Sequence, residues 1–228
     1  MSDADARVAE LEAYHRDEVA VCVRCPLSQT RTQVVVGSGS LHADLMFVGE
    51  APGYHEDAQG IPFVGASGKL LTTLIEGIGL RREDVFIANV LKCRPPGNRD
   101  PQPAEIHSCE PHLFRQVSLV RPRLVCTLGN FATKLLSGRP DGISRVHGHE
   151  LPMEIGGAPV LLYPLFHPAA ALYTRAMLAT LEADFARIPQ LLGAGRPAIA
   201  PPAIAPPVPE PVPAAPGAAP ADEQLGLF

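Results

Sequence analysis

Four short apolar runs punctuate the chain: Leu45-Met46-Phe47-Val48, Val85 to Val90, Leu124 to Leu128 and Val160 to Leu165. Runs this short and this apolar predict strands buried on both faces. Between them, apolar positions recur at helical spacing. The first such stretch runs from Ser67 to Glu76 and is closed by Gly77 and Gly79. A second covers Ala104 to Val117, where Pro111 is expected to bend or restart the helix. A third follows Gly129-Asn130 to Leu136, and a fourth runs from Ala169 to Ile188 after the break at His167-Pro168. Ala4 to Ala20, with Val8, Leu11 and Val19 among charges, predicts an amphipathic N-terminal helix, and Val34 to Leu41 a short extended piece. Strands alternating with helices, joined by loops without hairpin signals, predict an α/β fold. The expected form is a doubly wound three-layer α/β/α sandwich around a central, mostly parallel four-stranded sheet.

The pattern stops at residue 192. Residues 193–221 are dominated by Pro and Ala, which cannot bury enough surface to order a core, and predict a semi-extended tether. Residues 222–228, Asp-Glu-Gln-Leu-Gly-Leu-Phe, put an apolar tip on that arm and suit a short linear peptide ligand. One domain, 1–192, is expected to carry the chemistry.

Within it, residues 49–66 leave the first apolar run with no clear periodicity and hold two prolines, four glycines and three acids. A loop at the carboxyl end of a strand is where an open α/β sheet usually binds its ligand. Glu50 follows the exit glycine Gly49, and Phe63 is set between Pro62 and Val64. Asn89 and His167 fall at or near the ends of two other predicted strands, so Glu50, Asn89 and His167 are expected to share one pocket.

Composition narrows the function. The net charge of -5 argues against a general polyanion binder, but Arg81 to Arg145 carries eleven Lys or Arg against six Asp or Glu, enough for a local basic face. No apolar run reaches membrane-spanning length and no signal peptide is visible, so a cytoplasmic protein without a membrane partner is expected. Four of the five cysteines are arranged suggestively: Cys22 and Cys25 as a close pair, and Cys93 and Cys109 separated by fifteen residues, while Cys126 lies inside an apolar run. Four thiolates can hold zinc or an iron–sulfur centre, and the split second pair favours iron and sulfur.

Five segments then acquire a common meaning: Gly49-Glu-Ala-Pro-Gly53, Gly60-Ile-Pro-Phe-Val-Gly65, Asn89-Val-Leu-Lys-Cys-Arg-Pro-Pro-Gly-Asn-Arg99, the cysteine set, and His167-Pro-Ala-Ala-Ala171. In this order they resemble the family 4, iron–sulfur type of bacterial uracil-DNA glycosylase, over about residues 8–190. The resemblance implies a 4Fe-4S cluster on Cys22, Cys25, Cys93 and Cys109. It also implies a uracil pocket made by Gly49, Glu50, Ala51, Phe63, Asn89 and His167, acting on single- and double-stranded DNA as a monomer.

The residue types suit that chemistry. Uracil must be flipped out of the stack to be reached. Phe63 offers a stacking face, and the Asn89 amide matches uracil O4 and N3–H while mismatching cytosine. His167 can donate to O2 as negative charge grows on the leaving base. Glu50 can orient water or balance charge on the sugar, with Glu56 the alternative base or else a solvated acid. Lys92, Arg94, Arg99 and Arg175 are candidate phosphate contacts, Arg145 and His147 extend that face, and Leu172, beside Tyr173, is the candidate wedge into the base stack. The ordinary Arg-Pro-Pro-Gly-Asn-Arg run after Cys93 favours turnover over covalent trapping of DNA.

At the far end, Gln224-Leu-Gly-Leu-Phe228 resembles the peptide that bacterial repair proteins insert into the sliding clamp, with Leu225, Leu227 and Phe228 as anchors and Gln224 as the polar lead. Two other classes compete: a nucleic-acid-binding iron–sulfur protein without an active site, and a nucleotide-processing enzyme. The second lacks both GxGxxG and a Gly-Lys-Ser/Thr phosphate loop.

Overall fold

A computed structural model describes residues 2–195. The strands in chain order are β1 (Ser38–Gly39), β2 (Leu45–Gly49), β3 (Phe86–Asn89), β4 (Leu124–Leu128), β5 (Leu151–Ile155) and β6 (Ala158–Leu165). The helices are α1 (Asp3–Tyr14), α2 (Tyr54–Gln59), α3 (Ala66–Gly77), α4 (Pro103–Val120), α5 (Asn130–Ser137), α6 (Ile143–Val146), α7 (Pro168–Ala171), α8 (Arg175–Ala186) and α9 (Ile188–Gly193).

Successive side chains of a strand point to opposite faces, and here each face has its own helices. Met46 and Val48 of β2 join Phe86, Val125 and Leu162 on one face, under Leu11 of α1, Leu113 and Val117 of α4 and Leu136 of α5. Leu45 and Phe47 join Ile87, Cys126 and Tyr163 on the other, under Leu71 and Leu74 of α3 and Leu181 and Phe185 of α8. The Phe47 and Phe185 rings stack across this second interface, 5.6 Å apart. Burying a side chain of that kind stabilises the fold by roughly 1.5–3 kcal/mol, so this α/β architecture is held by its two aliphatic layers.

The sheet order is β1-β3-β2-β4-β6-β5, and the inner pairs β3/β2, β2/β4 and β4/β6 are parallel. The expectation of four strands is corrected to six among the described residues, because both edges are antiparallel additions. β5 runs back along β6 through Gly156 and Gly157, both with positive φ (58° and 77°), as a tight hairpin requires. Its alternating burial and internal Pro152 suit an edge strand. Other boundaries shift as well. Pro111 lies inside an uninterrupted α4, where packing of Leu113 and Val117 outweighs the lost backbone bond. The segment expected as one helix after His167 is three, α7 to α9, parted at Leu172–Thr174 and at Arg187.

The cysteine corner also departs from expectation. Cys22, Cys25, Cys93 and Cys109 line one space of only about 10 Å³. Among the described residues, no group of three or more His, Cys, Asp or Glu side chains could hold a metal ion. The 4Fe-4S cluster, and with it the iron–sulfur reading of the chain, is therefore not supported. The sulfurs instead take part in hydrogen bonds: Arg31 donates to Cys93 Sγ (3.2 Å), the Lys92 N–H to Cys109 Sγ (3.3 Å), and His112 Nε2 lies 3.2 Å from Cys22 Sγ. Burial raises the Cys93 thiol pKa and pushes that of Cys109 up to about 11, favouring the thiol over the thiolate that ligation needs.

Among the described residues no helix is long and apolar enough to cross a membrane. Tether residues after 195, and Gln224, Leu225, Leu227 and Phe228 with them, lie outside the described residues.

Candidate active site

Parallel strands end together, and three of their exits meet. Gly49 of β2 is in register with Asn89 of β3, and Val90 and Leu91 donate to the carbonyls of Gly49 and Glu50 at 2.9 Å each, zipping the two exits. Next door, the Gly129 N–H at the end of β4 donates to Leu165 O of β6 (2.9 Å), which delivers His167 to the same edge. A Cβ on Gly49 would lie 2.5 Å from Asn89 Oδ1 and 2.6 Å from Phe63 Cζ. Only a glycine lets the Phe63 ring and the Asn89 amide close over the strand end.

The resulting cavity measures about 380 Å³ and is lined by Glu50, Phe63, Asn89 and His167 among others. Of the uracil-pocket residues expected from sequence, Glu50, Ala51, Phe63, Asn89 and His167 line it, and Gly49 does not but packs directly against Phe63 and Asn89. The rings of Phe63 and His167 face each other at 5.7 Å, 29° from parallel. Asn89 is 2% exposed, and its Oδ1 is buried with no hydrogen-bond partner among the described residues. A buried orphan acceptor costs about 1–3 kcal/mol, a cost that a ligand donor placed in the cavity would remove.

His167 caps α7. Its Nδ1 accepts from the Ala169 N–H at 3.1 Å, which leaves the proton of a neutral ring on Nε2. Burial pulls its pKa down to about 4, so the ring is neutral at neutral pH. Glu50 is held above the ordinary carboxylate range, first by burial and then by the nearby charge of Asp100. The pocket thus offers a flat apolar face, an amide, a neutral N–H donor and one partly desolvated carboxyl.

Phe63 adopts a left-handed conformation, φ 54°, costing a bulky residue about 1–2 kcal/mol. Glu56, an alternative base or a solvated acid from the sequence, is partly buried, and its Oε1 accepts from the Val64 and Gly65 N–H groups at 2.9 Å each. Ser67, Pro95 and Asn98 also line the cavity and were not singled out beforehand. Asn98 has φ 55°. The turn chemistry of Pro95-Pro-Gly-Asn98 was the available signal, but it does not say which way a turn folds.

The candidate DNA contacts divide. Leu172 (38% exposed) and Tyr173 (90%) project from the turn after α7, whose Ala169 lines the cavity. Arg175 is exposed at the start of α8. Arg94 lies over the Tyr54 ring at 5.2 Å and donates to Asn98 Oδ1. Arg99 lines the cavity but is paired bidentately with Glu105 at 2.6 and 2.9 Å. Lys92 is a correction: it is 1% exposed, its ammonium donates to Asn89 O (2.8 Å) and Gln116 Oε1 (2.6 Å), and burial pulls its pKa down to about 8. It braces the β3 exit and cannot reach a phosphate. His147 is likewise engaged, its Nδ1 2.8 Å from Asp184 Oδ2.

Comparison with known proteins agrees with this geometry. Residues 36–191 match the model of the uracil DNA glycosylase superfamily. A type-4 uracil-DNA glycosylase of Archaeoglobus fulgidus is 46% identical over 80% of this chain and 94% of its own length. One of Saccharolobus solfataricus is 46% identical over 77% of this chain and 84% of its own. One of Sulfurisphaera tokodaii is 45% identical over 77% and 82%. With the three strand exits, the stacked Phe63 and His167 and the orphaned Asn89 Oδ1, these matches place the chain in the uracil DNA glycosylase superfamily, in its type-4 family.

Proposed function

We propose that the chain is a uracil-DNA glycosylase in which Asn89, Phe63, His167 and Glu50 recognise an extruded uracil and hydrolyse its N-glycosidic bond. The observation that carries this reading is the buried, unpartnered Asn89 Oδ1 at the wall of a cavity closed by the Phe63 and His167 rings.

A uracil flipped into the cavity stacks on Phe63. Asn89 pairs with its O4 and N3–H edge. Cytosine presents an amine and an unprotonated nitrogen there, leaving buried polar groups mispaired. As the C1′–N1 bond lengthens, the base gains negative charge and the sugar positive charge. The His167 Nε2–H donates to O2 without a proton having to leave the ring. The Glu50 carboxylate balances the sugar and orients the water whose oxygen bonds to C1′. The water's second proton goes with the uracil, leaving an abasic site and free base, the first step of base excision repair. Leu172 fills the vacated stack, and Arg94 and Arg175 hold phosphates. The chain acts as a monomer on single- and double-stranded DNA, and residues 224–228 recruit it to the sliding clamp.

Incubation with oligonucleotides bearing one uracil, followed by alkali, tests this. Full-length chain and chain truncated before residue 224 are both expected to nick the uracil strand, single or paired, and to leave cytosine and thymine controls intact, with clamp binding lost only on truncation. Intact uracil strands would refute the reading, and a truncation that slows excision would refute the clamp assignment.

A further inference from the structure

Phe63 is held in its left-handed conformation from both sides by charged side chains. On the preceding peptide, Arg82 Nη2 donates to Pro62 O at 2.5 Å, and Arg82 is itself tied to α3 through Thr72 Oγ1 at 3.1 Å. On the following peptides, a single carboxylate oxygen, Glu56 Oε1, accepts from both Val64 and Gly65. Beneath lies Gly68, where an added Cβ would fall 1.9 Å from the Phe63 carbonyl oxygen, so the loop presses directly on the first turn of α3. A strained residue at a functional site persists only where its surroundings over-determine it. These contacts do that for the ring that faces His167.

We infer that Glu56 and Arg82 are positioning residues for uracil excision: clamping the peptides on either side of Phe63, they aim its ring and so set the width of the base slot. Glu56 lines the cavity, yet one of its oxygens is committed to two backbone donors. This assigns it a role distinct from that of Glu50. Arg82 reaches the Phe63 loop from behind and is not among the cavity-lining residues.

The inference rests on the glycosylase reading, and a double-mutant cycle separates the two. In kcat/KM on a uracil oligonucleotide, Glu56→Ala and Arg82→Met are each expected to lose on the order of 10- to 100-fold in the wild-type background, as sub-ångström misplacement does. In a Phe63→Ala background, where there is no ring left to aim, the same changes should cost less than about threefold. Glu56→Gln keeps the Oε1 acceptor and should recover most of the Glu56→Ala loss. Losses that multiply in the Phe63→Ala background would overturn the inference, as would a Gln variant as impaired as the Ala variant. Should Glu56→Ala fail to fold, the Arg82→Met cycle decides alone. A wild-type chain that excises no uracil would instead overturn the function itself.

Discussion

In the proposed mechanism Asn89 and His167 address one ring from two edges, and both do so uncharged. For Asn89 that is a property of the amide. For His167 it follows from burial and from the Ala169 N–H that occupies Nδ1. Glu50 is the pocket group whose charge state should govern the rate, because its carboxyl is raised by burial and by Asp100. As pH falls through that raised value the carboxylate is protonated and its balance of the sugar charge is lost. The acid limb of kcat/KM should therefore lie above the range of an ordinary glutamate and disappear in Glu50→Gln. His167 becomes charged only as pH falls through about 4. A limb near the ordinary imidazole value of 6.5 that survives Glu50→Gln would contradict the neutral ring.

Elements bring these residues together, and one tie carries the β6 exit. His147 Nδ1 lies 2.8 Å from Asp184 Oδ2 of α8, its ring packs on Phe166 at 4.4 Å, and Tyr163 donates to the Asp184 carbonyl at 3.0 Å. Gly148 leaves room for the carboxylate, since a Cβ there would be 2.6 Å from Asp184 Oδ1. Asp184→Ala should lower stability by about 1–3 kcal/mol in urea unfolding. An unchanged midpoint would show the tie to be dispensable. The four inner strands were legible in the sequence because burial on both faces leaves unbroken apolar runs such as Leu45 to Val48. β5 was not, because Leu151, Met153 and Ile155 alternate with exposed Pro152 and Glu154 along a half-buried edge. α2 was hidden for a similar reason: Tyr54–Gln59 buries only Asp57, whose Oδ1 accepts from the Thr32 N–H at 2.9 Å. Nothing apolar marks its face.

At the scale of the whole molecule, the basic middle of the chain is less of a DNA-binding face than its count suggests. Arg81 pairs with Asp84, Arg99 with Glu105, Arg115 with Glu10 and Arg145 with Asp141, while Lys92 is buried. Charge counted along a sequence does not reveal who its neighbours are. The candidate site was legible for the opposite reason: strand ends must cluster, so Glu50, Asn89 and His167 could be joined from their positions alone. The bracing of Phe63 by Glu56 and Arg82 depends on a loop conformation that no periodicity encodes. The central claim is that the Asn89 amide, whose buried Oδ1 has no partner among the described residues, is what reads uracil. Single-turnover excision by Asn89→Ala against wild type tests it most directly. The account predicts a loss of about 10³-fold or more in a variant that still unfolds cooperatively, and a loss of less than about tenfold would contradict it.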